Sequence, residues 1–244
     1  MSQAVLPERA LILAGGLGTR LQSLIPDRPK VLAPIEDRPF LDILIEHLFH
    51  RGIRRLVLLL GNRHEQVTNH VAARRKEAIW PLELEIEFSV EAEPLGTGGA
   101  VKWAERYCDR RFLLLNGDTY FDLDVAALLR THQDTGALVT VAAAMVDDAD
   151  RYGRMDVSAA GFVTRFREKA VGSGPGLINA GVYAMEPQVL GRIPGGRSVS
   201  LECEVFPALL ADGHSIAVSA QTGAFFDIGT PSSYQSFVGF CKQE

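Results

Sequence analysis

Near the start of the chain, Leu13-Ala14-Gly15-Gly16-Leu17-Gly18-Thr19-Arg20 puts three glycines and an arginine directly behind a short apolar run. Glycines there let backbone N–H groups close on an anion with no Cβ atoms in the way. Arg20 adds a planar guanidinium that matches phosphate oxygens. Neither of the commoner phosphate loops is present. No Gly-Lys-Ser/Thr follows, and Leu21 stands where a dinucleotide fingerprint has its third glycine. By itself the loop fits a phosphate cradle and a plain strand-to-helix turn equally well. Lys30 follows ten residues on, and Pro26 and Pro29 stiffen the chain that would hold its ammonium in place. Alone it is an ordinary surface lysine.

Two carboxylates form a second group. Asn116-Gly117-Asp118-Thr119 comes straight after the apolar run 112–115. Asn-Gly is a strong hairpin signal. The following segment reads as helix, however, which puts Asp118 at the carboxyl end of a buried strand, where open α/β sheets hold ligands. Asp227 lies in Phe225-Phe226-Asp227-Ile228-Gly229-Thr230, flanked by apolar residues. A partly buried carboxylate needs a partner. Mg²⁺ shared by two carboxylates and substrate phosphates would supply one, and so would a nearby Arg or Lys in a structural ion pair. Glu168-Lys169 and Asn179 make a further polar group, each with a simple alternative as a solvated pair or a turn amide. The six histidines show no metal-ligand spacing, and no Gly-x-Ser-x-Gly elbow is present.

These residues need elements to hold them. Apolar runs at 9–14, 55–60 and 112–115 read as buried strands, and 84–90 alternates as a strand with one wet face. Helical spacing marks 40–48, opened by Asp37-Arg38-Pro39 and ended at Gly52, and then 64–79, 100–107 and 125–132. A strand follows at 138–145. Beyond it the texture changes. A hairpin over 154–167 turning at Ala160-Gly161, a Gly/Pro loop at 171–176, a strand at 177–185, a helix at 201–210 and short strands at 215–221 and 225–228 lead to a last helix capped by Thr230 with Pro231 at its first position. The fold class expected is α/β, a single-domain Rossmann-like and mostly parallel sheet with helices on both faces. No linker or composition break divides it, and the expected halves are 1–150 for a nucleotide and 151–244 for a second ligand.

Composition removes several classes of function. There are 25 Lys+Arg against 30 Asp+Glu, a formal charge of −5, so no broad basic field exists to hold a nucleic-acid backbone. Three scattered cysteines fit neither a disulfide framework nor a metal knuckle, and suit a reducing cytoplasm. The longest apolar runs fall short of a membrane span. Pro7 and Glu8 interrupt the place where a signal peptide would be apolar.

Together these residues resemble the sugar-phosphate nucleotidyltransferase family. The family opens on Leu-Ala-Gly-Gly-x-Gly-Thr-Arg-Leu with Pro-Lys downstream, matched by Leu13 to Leu21 with Pro29-Lys30. Asn116-Gly117-Asp118, Glu168-Lys169, Asn179-Ala180-Gly181 and Asp227-Ile228-Gly229-Thr230-Pro231 follow in order and spacing, so the likeness covers nearly the whole chain. Glu91 to Gly99 is similar to the segment of guanylyl-transferring members. The resemblance implies transfer of GMP from GTP to a sugar 1-phosphate. The compact length and Asp150-Arg151-Tyr152-Gly153 suggest D-glycero-α-D-manno-heptose 1-phosphate. Mannose 1-phosphate, or UTP or dTTP in place of GTP, are the alternatives inside the family.

By the same resemblance, Leu13, Ala14, Gly15, Gly16, Gly18, Thr19 and Arg20 hold the triphosphate. Lys30 contacts phosphate, Asp118 and Asp227 hold Mg²⁺, and Gly96 and Thr97 lie on the nucleotide side. Asn116, Gly153, Glu168, Lys169 and Asn179 face the sugar phosphate. The nucleophile is a phosphate oxygen, anionic at neutral pH, so no general base is required and alignment with charge neutralisation is enough. Guanine presents N1–H and N2–H₂ side by side, which a carboxylate accepts in pairs; Glu91 or Glu93 is the reader expected. A non-catalytic sugar-nucleotide sensor could lose its metal carboxylates, whereas both are present here. A nicotinamide oxidoreductase would want a third loop glycine and an acidic end to its second strand, in place of Leu21 and Leu60-Gly61-Asn62. Assembly into a homo-oligomer stays open at this stage.

Overall fold

The computed structural model describes residues 9–16, 18–21, 24–150, 152–167 and 174–243. In chain order the strands are β1 (Arg9–Leu13), β2 (Pro34–Ile35), β3 (Arg38–Pro39), β4 (Arg55–Leu60), β5 (Glu85–Val90), β6 (Phe112–Asn116), β7 (Thr119–Phe121), β8 (Val139–Val146), β9 (Arg154–Val157), β10 (Val163–Arg167), β11 (Gly176–Met185), β12 (Ile216–Gln221) and β13 (Phe225–Asp227). The α-helices are α1 (Phe40–His50), α2 (His64–Lys76), α3 (Gly96–Trp103), α4 (Val125–Thr135), α5 (Phe206–Ala211) and α6 (Pro231–Cys241).

Nine strands make one sheet, along the path β10-β9-β11-β6-β1-β4-β5, with β8 pairing to β11 and β12 to β8. The run β6-β1-β4-β5 is parallel throughout, as its short buried strands and crossover helices require. The long strand β11 runs against β6, β8 and β9 and makes the second half mixed. Alternate residues of one strand serve opposite faces. Ile12, Leu58 and Leu115 pack under α1, α2, α4 and α6, whereas Leu11, Val57 and Leu114 pack under α3 and α5. Asp42 is buried between α1 and α2, where His70 and Arg74 both bond it.

Three expectations change. The helix read over 100–107 begins earlier, at Gly96, and ends in a separate 3₁₀ turn at Glu105–Tyr107. Its glycines are packing residues. The Val199 carbonyl accepts from Gly98 N at 2.8 Å, and a Cβ on Gly98 would stand 3.1 Å from the Val199 side chain. The helix read over 201–210 opens as a π turn at Leu201–Val205 and becomes α only at Phe206, because Pro207 has no N–H to continue the ladder. The helix read over 64–79 ends at Lys76, and Ala78 turns left-handed with φ 53°. In the Gly/Pro loop, 171–173 lie outside the described residues. The last helix has the expected cap: Thr230 and Ser233 form a reciprocal capping box with Pro231 at the first position. Among the described residues no helix is long and apolar enough to cross a membrane.

Candidate active site

The carboxyl ends of β1 and β6 lie side by side because the two strands pair in register, Leu13 against Asn116. The glycine loop leaves one and Gly117-Asp118 leaves the other. Gly117 N donates to the Leu13 carbonyl at 2.9 Å, and the backbones come so close there that a Cβ on Gly117 would lie 2.4 Å from that oxygen. β7 then forms a two-stranded antiparallel ribbon with β13, Thr119 opposite Asp227. Ile228 N also donates to the Asp118 carbonyl at 2.9 Å. The ribbon sets Asp118 and Asp227 beside each other although 109 positions (227 − 118) separate them in the chain.

Lys30 stands between the two carboxylates. Its Nζ is 2.5 Å from Asp118 Oδ2 and 4.0 Å from Asp227 Oδ1, and its side chain is 11% exposed. The cationic partner that the sequence leaves open is therefore supplied by the Pro-bounded lysine. Burial pushes the Asp227 carboxyl up from its ordinary value, and the charge of Asp118 adds to this; Lys30, the Gly229 N–H and Arg20 pull the other way. The Gly229 bond to Asp227 Oδ1 is 2.6 Å, and a Cβ at Gly229 would crowd both that oxygen and Lys30 Nζ. Two carboxylates, Asp227 the more buried, meeting one ammonium leave an excess of negative charge.

Two cavities open on this pair. The smaller, about 300 Å³, is lined by Leu13, Ala14, Gly15, Gly16, Lys30, Glu91, Gly96, Thr97, Asn116 and Asp118 among others. The larger, about 650 Å³, is lined by Arg20, Asn116, Asp118, Gly153, Asn179 and Asp227 together with Tyr152, Phe166, Glu202 and Phe225. Asn116 and Asp118 belong to both. Two of the expected glycine-loop residues, Gly18 and Thr19, line neither; Gly18 packs against the Lys30 stem. Arg20 faces the larger cavity. Glu91 and Glu93 separate clearly. Glu91 is half-buried in the wall of the smaller cavity, where burial pushes its carboxyl up and the Leu95 N–H partly offsets that. Glu93 is exposed and lines only an adjoining surface depression, whose wall shares Glu91 and Pro94 with the smaller cavity. Glu168 and Lys169 lie outside the described residues.

Thr97 lines the smaller cavity, yet its hydroxyl is turned elsewhere. It donates to Glu202 Oε2 at 3.0 Å and accepts from Leu201 N at 2.8 Å. Asn179 likewise spends its amide internally, on Tyr183 Oη and Gly181 N. Glu202 is a site residue that sequence reasoning missed. Within an apolar-periodic helix it reads as one more solvated glutamate, and no local signal marks it. The strand β7 was missed for a related reason: three residues are too few to show alternation.

Together this fold and the paired strand ends define a nucleotidyltransferase. The nucleotidyl transferase family model matches residues 9–244, and the chain belongs to that family. It is similar to the D-glycero-α-D-manno-heptose 1-phosphate guanylyltransferase of Campylobacter jejuni, with 35% identity over 233 residues that cover 94% of this chain and 98% of the relative. It is also 35% identical to the mannose-1-phosphate guanylyltransferase of Mycobacterium tuberculosis over 92% of this chain, but spans only 62% of that protein. Among solved structures, HddC from Yersinia pseudotuberculosis, complexed with GMP-PN, superposes with a TM-score of 0.84 at 32% identity, covering 96% of this chain and 100% of that one.

Proposed function

We propose that this chain transfers GMP from GTP to D-glycero-α-D-manno-heptose 1-phosphate, giving GDP-heptose and pyrophosphate. The observation that carries the reading is the meeting of two cavities at Asp118, with Lys30 held between Asp118 and Asp227. A sugar-phosphate oxygen in the larger cavity would attack the α-phosphorus of a nucleotide in the smaller one. A new P–O bond forms there as the bond to pyrophosphate breaks, and the pyrophosphate leaves with the electron pair. Residues before 150 build the whole wall of the smaller cavity, in keeping with a nucleotide-binding first half. The second half supplies most of the larger wall. The C. jejuni heptose 1-phosphate guanylyltransferase, 35% identical over 94% of this chain, supports the heptose reading, and mannose 1-phosphate is the alternative sugar.

Asp118 and Asp227 suit Mg²⁺. They offer hard oxygen donors with excess negative charge, and burial already disfavours a second free carboxylate at Asp227. Among the described residues no group of three or more His, Cys, Asp or Glu stands together, so the remaining ligands would be substrate phosphates and water, the usual habit of Mg²⁺. When bound, the ion would neutralise charge on the phosphates. Lys30 and Arg20 are placed to do the same, Lys30 at the smaller cavity and Arg20 at the larger. Glu91 reads guanine, with its carboxylate accepting from N1–H and N2–H₂; Glu93 is a solvated loop charge. GTP and sugar phosphates are cytoplasmic metabolites, and we place the enzyme there.

The test is pyrophosphate release with GTP and Mg²⁺ across a panel of sugar 1-phosphates. The heptose 1-phosphate should give the highest kcat/KM. A higher value with mannose 1-phosphate would reassign the sugar, and no release with any member would overturn the reading.

A further inference from the structure

Behind the shared wall of the two cavities runs a chain of hydrogen bonds that touches both. Asn179 Nδ2, at the larger cavity, donates to Tyr183 Oη at 2.8 Å. Tyr183 Oη donates to Glu202 Oε1 at 3.0 Å. On the other carboxylate oxygen, Glu202 Oε2 accepts from Thr97 Oγ1 at 3.0 Å and from Ser200 Oγ at 3.2 Å. Thr97 lines the smaller cavity and in turn accepts from Leu201 N. Every donor in the chain points toward Glu202, as expected when an anion is the common acceptor.

The chain has little freedom. Tyr183 is fully buried, and its phenol is held well above its ordinary value by burial first and by Glu202 second, so it remains a donor throughout the working pH range. At one end Asn179 Oδ1 fixes the Gly181 N–H, and Gly181 packs against the Asn116 side chain at the strand end common to both cavities. At the other end the segment carrying Glu202 is bound to α3. Val199 N donates to the Leu95 carbonyl, and the Val199 carbonyl accepts from Gly98 N, both at 2.8 Å. A shift of the α3 N-terminus therefore moves Thr97 and Glu202 together. It reaches the larger cavity through Tyr183 and Asn179.

We infer that Glu202 is a positioning residue that couples the two cavities, so that occupation of one pre-forms the other and the substrates bind with mutual reinforcement. The inference rests on the assignment of the smaller cavity to nucleotide and the larger to sugar phosphate. Linkage makes the effect reciprocal: whatever the nucleotide does for sugar-phosphate affinity, the sugar phosphate does for nucleotide affinity.

Tyr183→Phe is the informative change, because Tyr183 lines neither cavity and the variant removes only the hydroxyl that joins Asn179 to Glu202. Calorimetry would measure the Kd of the α,β-methylene analogue of GTP, with Mg²⁺, without and with saturating D-glycero-α-D-manno-heptose 1-phosphate. In the wild type the analogue should bind at least about fivefold tighter when the sugar phosphate is present. In Tyr183→Phe each ligand alone should bind within about twofold of wild type, while the reinforcement falls to less than about twofold. Thr97→Val should lose the reinforcement as well, and Thr97→Ser, which restores the hydroxyl, should keep it. These two carry the test if Tyr183→Phe does not fold. A folded Tyr183→Phe or Thr97→Val with wild-type reinforcement overturns the inference. So does a loss of affinity for each ligand alone with the ratio unchanged, which marks a structural role only. A wild type that binds both ligands independently also removes the coupling but leaves the cavity assignment standing. A wild type that binds no sugar phosphate removes both.

Discussion

Replacing Gly117 by alanine should damage the alignment of the site more than its binding. The added Cβ would lie 2.4 Å from the Leu13 carbonyl oxygen, whereas real Cβ contacts stay beyond 3.0 Å. The obstructing atom is a backbone oxygen where the paired strand ends meet, so no side chain can swing away. The end of β6 has to move off the end of β1 by several tenths of an ångström, carrying Asp118 away from Lys30 and the glycine loop. Overpacking of this kind costs about 1–3 kcal/mol, which lowers Tm by roughly 2–4 °C per kcal/mol in a chain of this size. Misplacement of reacting groups by about 1 Å costs around a hundredfold in rate, so kcat should fall about ten- to a hundredfold. Gly16→Ala is the control. Nothing lies within 4 Å of its added Cβ, and the residue lines the smaller cavity. Tm should be unchanged, with an increase in the KM for GTP. Thermal unfolding and steady-state pyrophosphate release read both variants. A Gly117→Ala protein with wild-type Tm and kcat would refute the claim that contact between the two strand ends positions Asp118.

Asp118→Asn and Asp227→Asn should each lower turnover by on the order of a thousandfold or more in a protein whose circular dichroism is unchanged; near-normal pyrophosphate release from either folded variant contradicts the carboxylate assignment. The same Asp227→Asn change should stabilise the ligand-free protein. Folded Asp227 titrates above its unfolded counterpart, so its contribution to stability is present in full below the unfolded value and is lost as pH rises through the folded value. Calorimetric Tm should therefore be higher for the variant at neutral pH. The gap should close as pH falls toward the ordinary carboxylate value of 3.8, and a gap that does not change with pH rules this out. Glu91→Gln should erode the preference for GTP over UTP and ATP, about a hundredfold in the wild type, while Glu93→Gln leaves it intact; competition among the four nucleoside triphosphates measures both.

Much of this was legible in the sequence because it is carried by strong local signals. Buried parallel strands announce themselves as short apolar runs, and β4 has the bounds its apolar run sets. The last helix is marked by its own cap residues, Thr230 and Pro231. The places of Asp118 and Lys30 follow from a strand end and a proline-bounded segment. What stayed hidden depends on contacts between distant residues. That Lys30 lies between Asp118 and Asp227 is decided by the β7–β13 ribbon, which three-residue strands do not advertise. Glu91 differs from Glu93 only in which side of a short loop faces the cavity. The start of α3 at Gly96 is set by a carbonyl from Val199, more than a hundred residues away, that satisfies donors the helix leaves open. Glu202 shows the same limit: its partners Thr97 and Tyr183 come from two other elements.

The central claim is direct transfer of a guanylyl group between two substrates held on either side of Asp118. Incubating the protein with Mg²⁺, D-glycero-α-D-manno-heptose 1-phosphate and GTP labelled at the α-phosphate tests it most directly, with a parallel reaction labelled at the γ-phosphate. The account predicts that the α-label passes entirely into GDP-heptose, the γ-label entirely into pyrophosphate, and neither remains on the protein. Release of the α-label as free GMP, its retention on the protein, or the absence of any labelled nucleotide sugar would contradict it.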